Sequence, residues 1–213
     1  MKPSARTEPP DPPHPTTQKP ARVRVLDAAH ELMLTVGLAR ATTKEIAKAA
    51  GCSEAALYKY FASKEDLFIR VLDERLPRLG PLLSSLAAEP AGHTLEENLT
   101  EIAREAALFY EQSFPIAASL YAETQLKRRH DDAMRQMGLG PHKPIEGLDA
   151  YLRAEQDAGR IRADADTFAA ASLLLGACAQ RAFAYEATPD GVRPPVDTFA
   201  QRLARTLLAG ITA

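Results

Sequence analysis

Thr42, Thr43 and Lys44, and further on Tyr58, Lys59, Tyr60 and Lys64, are side chains suited to gripping phosphate oxygens: hydroxyls, rigid phenols and ammonium groups. Between them lies Ser53-Glu54-Ala55-Ala56. Its two methyls permit close approach, an alanine methyl can touch a thymine methyl, and a carboxylate can accept from a cytosine amino group. Nothing in the chain has the spacing of a catalyst. The five histidines form no cluster, and His130 with Asp131 and Asp132 lacks the three- or four-residue step of metal ligands on a helix. No Ser/His/Asp set, Cys/His pair or Gly-rich phosphate loop is visible. The sequence therefore predicts a binder of a polyanion, with no catalytic residue, no metal and no cofactor.

The elements that position these residues are legible. Thr42 and Glu45 have the T-x-x-E spacing of a capping box, which starts a helix whose inner face is Ile46, Ala47 and Ala50. Gly51 permits a tight left-handed exit. Ser53 caps a second helix, expected from Glu54 to about Phe61, with Leu57 and Phe61 facing inward. Ser63 caps a third, answered by Asp66, with Leu67 and Val71 on its inner face. Upstream, Pro20 suits a first helical turn, and Val25, Ala29, Leu32 and Val36 make an apolar stripe that stops at Gly37. Two short helices around a Gly turn, with outward hydroxyls and lysines, have the layout of a helix-turn-helix built to lie in a DNA groove. On that reading the helix N-terminus at Thr42 and Thr43 offers N–H groups and a hydroxyl to phosphate. Lys48 reads as part of a solvated face.

Residues 22–68 resemble the N-terminal domain of the tetracycline-repressor (TetR) family of bacterial transcription regulators. The resemblance is carried by TTKEIAKAAGCSEAALYKYFASKEDLF, with its T-x-x-x-I-A-x-x-A-G, L-Y-x-Y-F and S-K-E-x-L elements. It implies a homodimer, an all-α ligand-binding C-terminal domain, and repression relieved by a small molecule. By position, Thr42, Thr43, Lys44, Tyr58, Tyr60 and Lys64 match backbone-contacting sites, and Ser53, Glu54, Ala55 and Ala56 match the groove-facing set. Two residues depart from the commonest pattern: Cys52 stands where valine is more usual, and Ala56 replaces a frequent polar residue, which puts one polar contact in question.

Composition fits this reading. The chain has 213 residues, 46% hydrophobic and 25% charged, and is rich in Ala and Leu, which predicts an all-α protein. The net charge of -2 hides an asymmetry, since residues 19–64 hold eight basic groups against four acidic ones. Residues 1–19 carry Pro3, Pro9, Pro10, Pro12, Pro13 and Pro15 with few apolar side chains and read as a mobile tail, either passive or brushing DNA through Lys2 and Arg6. Cys52 and Cys178 have no metal or disulfide spacing and read as small buried apolar groups. No apolar run approaches the ~20 residues of a membrane span, and the N-terminus lacks a signal-peptide core, so a cytoplasmic setting is expected.

Expected units are residues 20–65 for DNA binding and 66–213 for a helical ligand-binding and dimerisation domain. Pro77 and Pro81 are expected to interrupt the linking helix. Later helices are predicted over Thr94–Gln112, Pro115–Met137, Lys143–Ala158, Asp164–Glu186 and Pro195–Ile211, separated by Pro and Gly breakers, Pro189 among them. In the last two, Phe168, Leu175, Ala182, Phe199, Leu203 and Leu207 are candidates for a four-helix dimer interface. A dimer has a geometric logic, because two reading helices must lie about 34 Å apart to meet two half-sites. Candidates for lining an apolar effector pocket are Phe109, Tyr110, Ile116, Leu120, Tyr121, Gln125, Tyr151 and Leu174, with Ile102 and Leu148 beside them. The expected protein is a homodimeric repressor of a palindromic operator, released by a small apolar or amphipathic effector. The alternatives are a regulator without such a ligand, protein-sensing or architectural, and an activator.

Overall fold

A computed structural model describes residues 19–38, 40–76, 79–88, 93–185 and 192–212. The expectations placed on the proline-rich tail before Lys19, on Pro77 and on Pro189 lie outside these residues. Among the described residues there are ten helices and no strand. They are α1 (Ala21–Thr35), α2 (Thr43–Ala49), α3 (Glu54–Leu57), α4 (Lys64–Arg75), α5 (Leu79–Ala88), α6 (Leu95–Tyr121), α7 (Thr124–Gln136), α8 (Lys143–Asp157), α9 (Thr167–Ala184) and α10 (Val196–Ile211).

Their starts follow from capping chemistry. Thr42 and Thr94 each form a reciprocal capping box, with Glu45 and Glu97. Ser53, Ser63 and Asp166 accept from the N–H three residues on. Asp66 departs slightly from expectation: its carboxylate accepts from the N–H of Ala62 at 2.9 Å, one residue outside the cap. Gly37 and Gly51 leave their helices with φ of 81° and 66°, where a Cβ would be strained.

Two apolar cores result. The first joins α1–α4 through Val25, Leu26, Met33, Ile46, Leu57, Phe61, Leu67, Phe68 and Val71. It therefore runs past the boundary expected at residue 65, because the inner face of α4 belongs to it. The second joins α5, α6, α8, α9 and α10 around Leu99, Ile102, Leu148, Tyr151, Leu174 and Cys178. One helix belongs to both. Leu99 to Ala107 of α6 lie in the second core, whereas Ile116 and Leu120 lie in the first, together with Leu126 of α7.

Several expected boundaries move. Pro115 was expected to begin a helix, yet it lies inside α6, which breaks at Ala122 and Glu123 instead. A proline removes one helical hydrogen bond but need not end a helix packed on both sides of it. The helix expected from Glu54 to about Phe61 is shorter: α3 stops at Leu57, and residues 58–60 continue as a turn. The segment expected over Asp164–Glu186 starts at Thr167, where Asp166 caps it. By length and composition α9 is apolar enough to cross a membrane, with a mean hydropathy of 1.2, and 44% of it is buried in this bundle. Cys178 is buried and Cys52 only partly so.

Candidate nucleic-acid interface

The capping box that starts α2 also decides which groups at that helix end are available. The Thr42 hydroxyl and N–H both donate to the Glu45 carboxylate, at 2.8 and 3.1 Å. These bonds hold Glu45 below the usual carboxylate range. The Thr42 hydroxyl is thus committed within the cap, contrary to its expected freedom for phosphate. The N–H groups of Thr43 and Lys44, in the first turn, have no intrahelical acceptor and remain the donors that the helix end presents. Thr43 donates its hydroxyl to Glu54, tying the start of α2 to the start of α3. One oxygen of the carboxylate expected to read a base is therefore engaged by a neighbouring side chain.

Ser53 is likewise committed, accepting from the Ala56 N–H at 3.2 Å. Glu54 and Ala55 are exposed and Ala56 half-buried, while Leu57 below them is fully buried. The buried leucine pins a short helix whose other faces stay open. Tyr58 and Tyr60 follow in the turn, 46% and 47% exposed, and Lys59 between them is exposed as well. Lys64 opens α4. It is half-buried, with its ammonium 5.1 Å from the Phe68 ring centre. Burial holds it below the usual lysine range, and a phosphate oxygen beside it would favour the charged form.

Charge pairing separates this segment from the rest of the molecule. Among the described residues Arg40, Lys44, Lys48, Lys59 and Lys64 make no ion pair. Among the described arginines and lysines from residue 65 onward, only Arg128 and Arg202 share that condition. A run of cations without carboxylate partners is what a polyanion surface requires. Lys48 is exposed and makes no ion pair, as the solvated face expected of it would be.

The residues expected to line an effector pocket divide into three groups. Phe109, Tyr110, Tyr151 and Leu174 share the second core with Ile102 and Leu148. Phe109 and Tyr110 meet edge to face at 5.4 Å, and burial pushes the Tyr110 phenol up to about 12. Tyr151 is fully buried, and its hydroxyl accepts from the Asn98 amide at 2.9 Å. Asn98 was missed, although it sits between Leu95 and Ile102 at helical spacing. Ile116 and Leu120 are corrected: they lie in the first core, because α6 crosses from one core to the other. Tyr121 and Gln125 are also corrected, being exposed at the junction of α6 and α7.

The dimer candidates need a similar correction. Leu175 and Ala182 are buried within the single chain and cannot face a partner. The stripe to which they belong packs the chain's own core, while α9 keeps a second apolar face with Phe168, Leu173 and Phe183 exposed at 52%, 66% and 60%. On α10, Phe199, Leu203 and Leu207 are half-buried. Phe199 and Leu203 line a surface groove of about 290 Å³ with Pro194, Thr198, Arg202 and Thr206.

Residues 25–71 match the sequence profile described as bacterial regulatory proteins, tetR family. The chain is 37% identical over 65 residues to the uncharacterized HTH-type transcriptional regulator YvkB of Bacillus subtilis, a stretch that is 30% of this chain and 34% of that one. The match thus spans about a third of the length of that curated relative. The fold is similar over nearly the whole chain to a TetR-family transcriptional regulator of Mesorhizobium loti, with a TM-score of 0.69, 20% identity, and 93% and 100% of the two chains covered. It is also similar to the transcriptional regulator FadR of Bacillus subtilis in complex with stearoyl-CoA, with a TM-score of 0.66, 18% identity, and 89% and 98% covered.

Proposed function

From the premise that this chain belongs to the tetR family of bacterial regulatory proteins, we infer that it is a homodimeric, DNA-binding transcriptional repressor whose grip on DNA is released by a small effector. The family's members are regulators rather than enzymes. The observation that carries the reading is the concentration of ion-pair-free cations between Arg40 and Lys64, interleaved with exposed Tyr58 and Tyr60. Phosphates meet Lys44, Lys64, Tyr58, Tyr60 and the first-turn N–H groups of α2. Ala55, Ala56 and the free oxygen of Glu54 face the base edges.

The dimer forms through the exposed apolar face of α9 and the adjoining side of α10. That face places large apolar side chains in water on a single chain, a cost that a second copy removes. The effector occupies the second core near Phe109, Tyr110, Tyr151 and Leu174, and its class is amphipathic. The acyl-CoA bound by the FadR relative supports that class, as does a core that is apolar apart from a few phenols and amides. Release follows from the path of α6. An effector that displaces its first two-thirds also moves Ile116 and Leu120, which are part of the core beneath α4. A ligand can do this only by binding the displaced state more tightly.

Selection from a randomised duplex library, followed by fluorescence anisotropy at low and moderate salt, tests the DNA-binding reading. A palindromic consensus bound by two chains is expected. Uniform weak binding with no enriched sequence would overturn it. Release of the selected duplex by long-chain acyl-CoA or free fatty acid tests the effector class.

A further inference from the structure

Helix α4 is held at two seams, one at each end. Near its start, Glu65 pairs with Arg129 of α7 at 3.2 Å, and Leu126 of α7 enters the first core. Near its end, Arg75 pairs with Asp27 of α1 at 2.9 Å. A histidine lies at each seam. His130, one residue past Arg129, is 8% exposed, and His30 is half-buried beside the Asp27–Arg75 pair. In both rings a nitrogen is buried without a hydrogen-bond partner: Nδ1 of His130 and Nε2 of His30. A protonated imidazole must donate from both nitrogens, so an orphaned buried nitrogen suits only the neutral ring.

The surroundings do little to offset a new charge. His130 faces Glu65 from α4, and Lys127 and Asp131 from its own helix, with Lys64 and Arg129 close by. The stretch of α6 between Glu111 and Tyr121, which leads into α7, has no ionisable residue. Glu65 is already engaged by Arg129, and Asp131 by Lys127 at 2.5 Å. His30 faces Asp27 on its own helix and Arg75 from α4, while α2 keeps Lys44, Glu45 and Lys48 exposed and the Arg22–Glu74 pair spans α1 and α4.

We propose that the docking of α4 is proton-linked: protonation of His130, with His30 contributing, loosens the seam between α4 and α7 in mildly acidic solution and so weakens the hold on DNA. The last step rests on the DNA-binding reading above; the first does not. Burial keeps both imidazoles below their ordinary value in the docked state. A neutral-preferring ring therefore supports docking fully above the ordinary value of about 6.5, and this support is lost as pH falls through the lowered one. At pH ~5.5 the loss per histidine is bounded at about elevenfold in the docking equilibrium.

The test is hydrogen exchange of the full chain at pH ~7.5 and ~5.5, corrected for intrinsic rates, in the wild type, His130→Gln and His30→Gln, with duplex affinity measured at constant ionic strength alongside. Wild-type peptides from α4 and α7 should lose several-fold protection at the lower pH, up to about elevenfold per histidine. His130→Gln should abolish most of that loss and His30→Gln a smaller part, and the affinity of the selected duplex should follow the same order. An equal loss of protection in His130→Gln and wild type, or none in wild type, overturns the proposal. A pH response in exchange without one in affinity overturns its link to DNA. If no duplex binds at any pH, the DNA-binding reading fails while exchange still decides the seam. Should His130→Gln not fold, the imidazole resonances of the wild type decide. One that titrates below its ordinary value together with α7 amides supports the proposal, and the absence of any such coupling overturns it.

Discussion

Replacing Lys64 by Met removes one charge while keeping an apolar stem over the Phe68 ring. Lys64 stands at the first position of α4, where a cation opposes the helix dipole, so the folded chain should lose no stability and gain a few tenths of a kcal/mol at most. Its role on DNA should be far larger. Each phosphate neutralised contributes about 0.9 to the slope of log affinity against log salt, so a dimer with two copies of Lys64 loses about 1.8. Between about 50 and about 200 mM salt, wild-type affinity should then fall about twelvefold further than that of Lys64→Met. Anisotropy titrations on the selected duplex at four salt concentrations measure this directly. An unchanged slope refutes the phosphate contact. A change near 0.9, about 3.5-fold over the same range, refutes the presence of two equivalent copies on the duplex.

Three further outcomes follow from the packing. Leu173→Asp places a carboxylate on the exposed face of α9 and should leave the chain folded while sedimentation shows the mass of a single chain; a persistent dimer would assign the interface elsewhere. Ile116→Ala should cost about 2–5 kcal/mol and speed amide exchange in α1 and α4 although residue 116 is remote from them in sequence; a loss confined to α8 and α9 would contradict its place in the first core. Tyr151→Phe leaves the buried Asn98 amide without its acceptor and should cost about 1–3 kcal/mol in chemical denaturation followed by circular dichroism; a neutral result would mean that water or another acceptor replaces the phenol.

Much of the N-terminal unit, α1 to α4, could be read from sequence because its signals are local. A capping box needs only Thr42 and Glu45 three residues apart, and a helix exit needs only Gly51. Where the reading went astray, the deciding contacts were distant. Pro115 looks like a helix start when only its missing N–H is considered. It is carried through because Ala106 and Ala107 before it and Ile116 and Leu120 after it are buried in two different cores. The stripe of Leu175 and Ala182 is periodic and apolar, and so is the opposite face of the same helix. Periodicity cannot tell which of the two meets the chain's own core and which is left for a partner.

The sequence by itself determined the helical class, the two short helices around Gly51, and the inventory of hydroxyls, phenols and lysines between Thr42 and Lys64, because each depends on residues within a few turns of one another. Only the tertiary structure decided that Thr43 reaches Glu54, that the lysines of this segment lack carboxylate partners, and that His30 and His130 flank the two ends of α4. Those outcomes depend on which groups meet across helices far apart in the chain. Burial and pairing, unlike capping, belong to the packed whole.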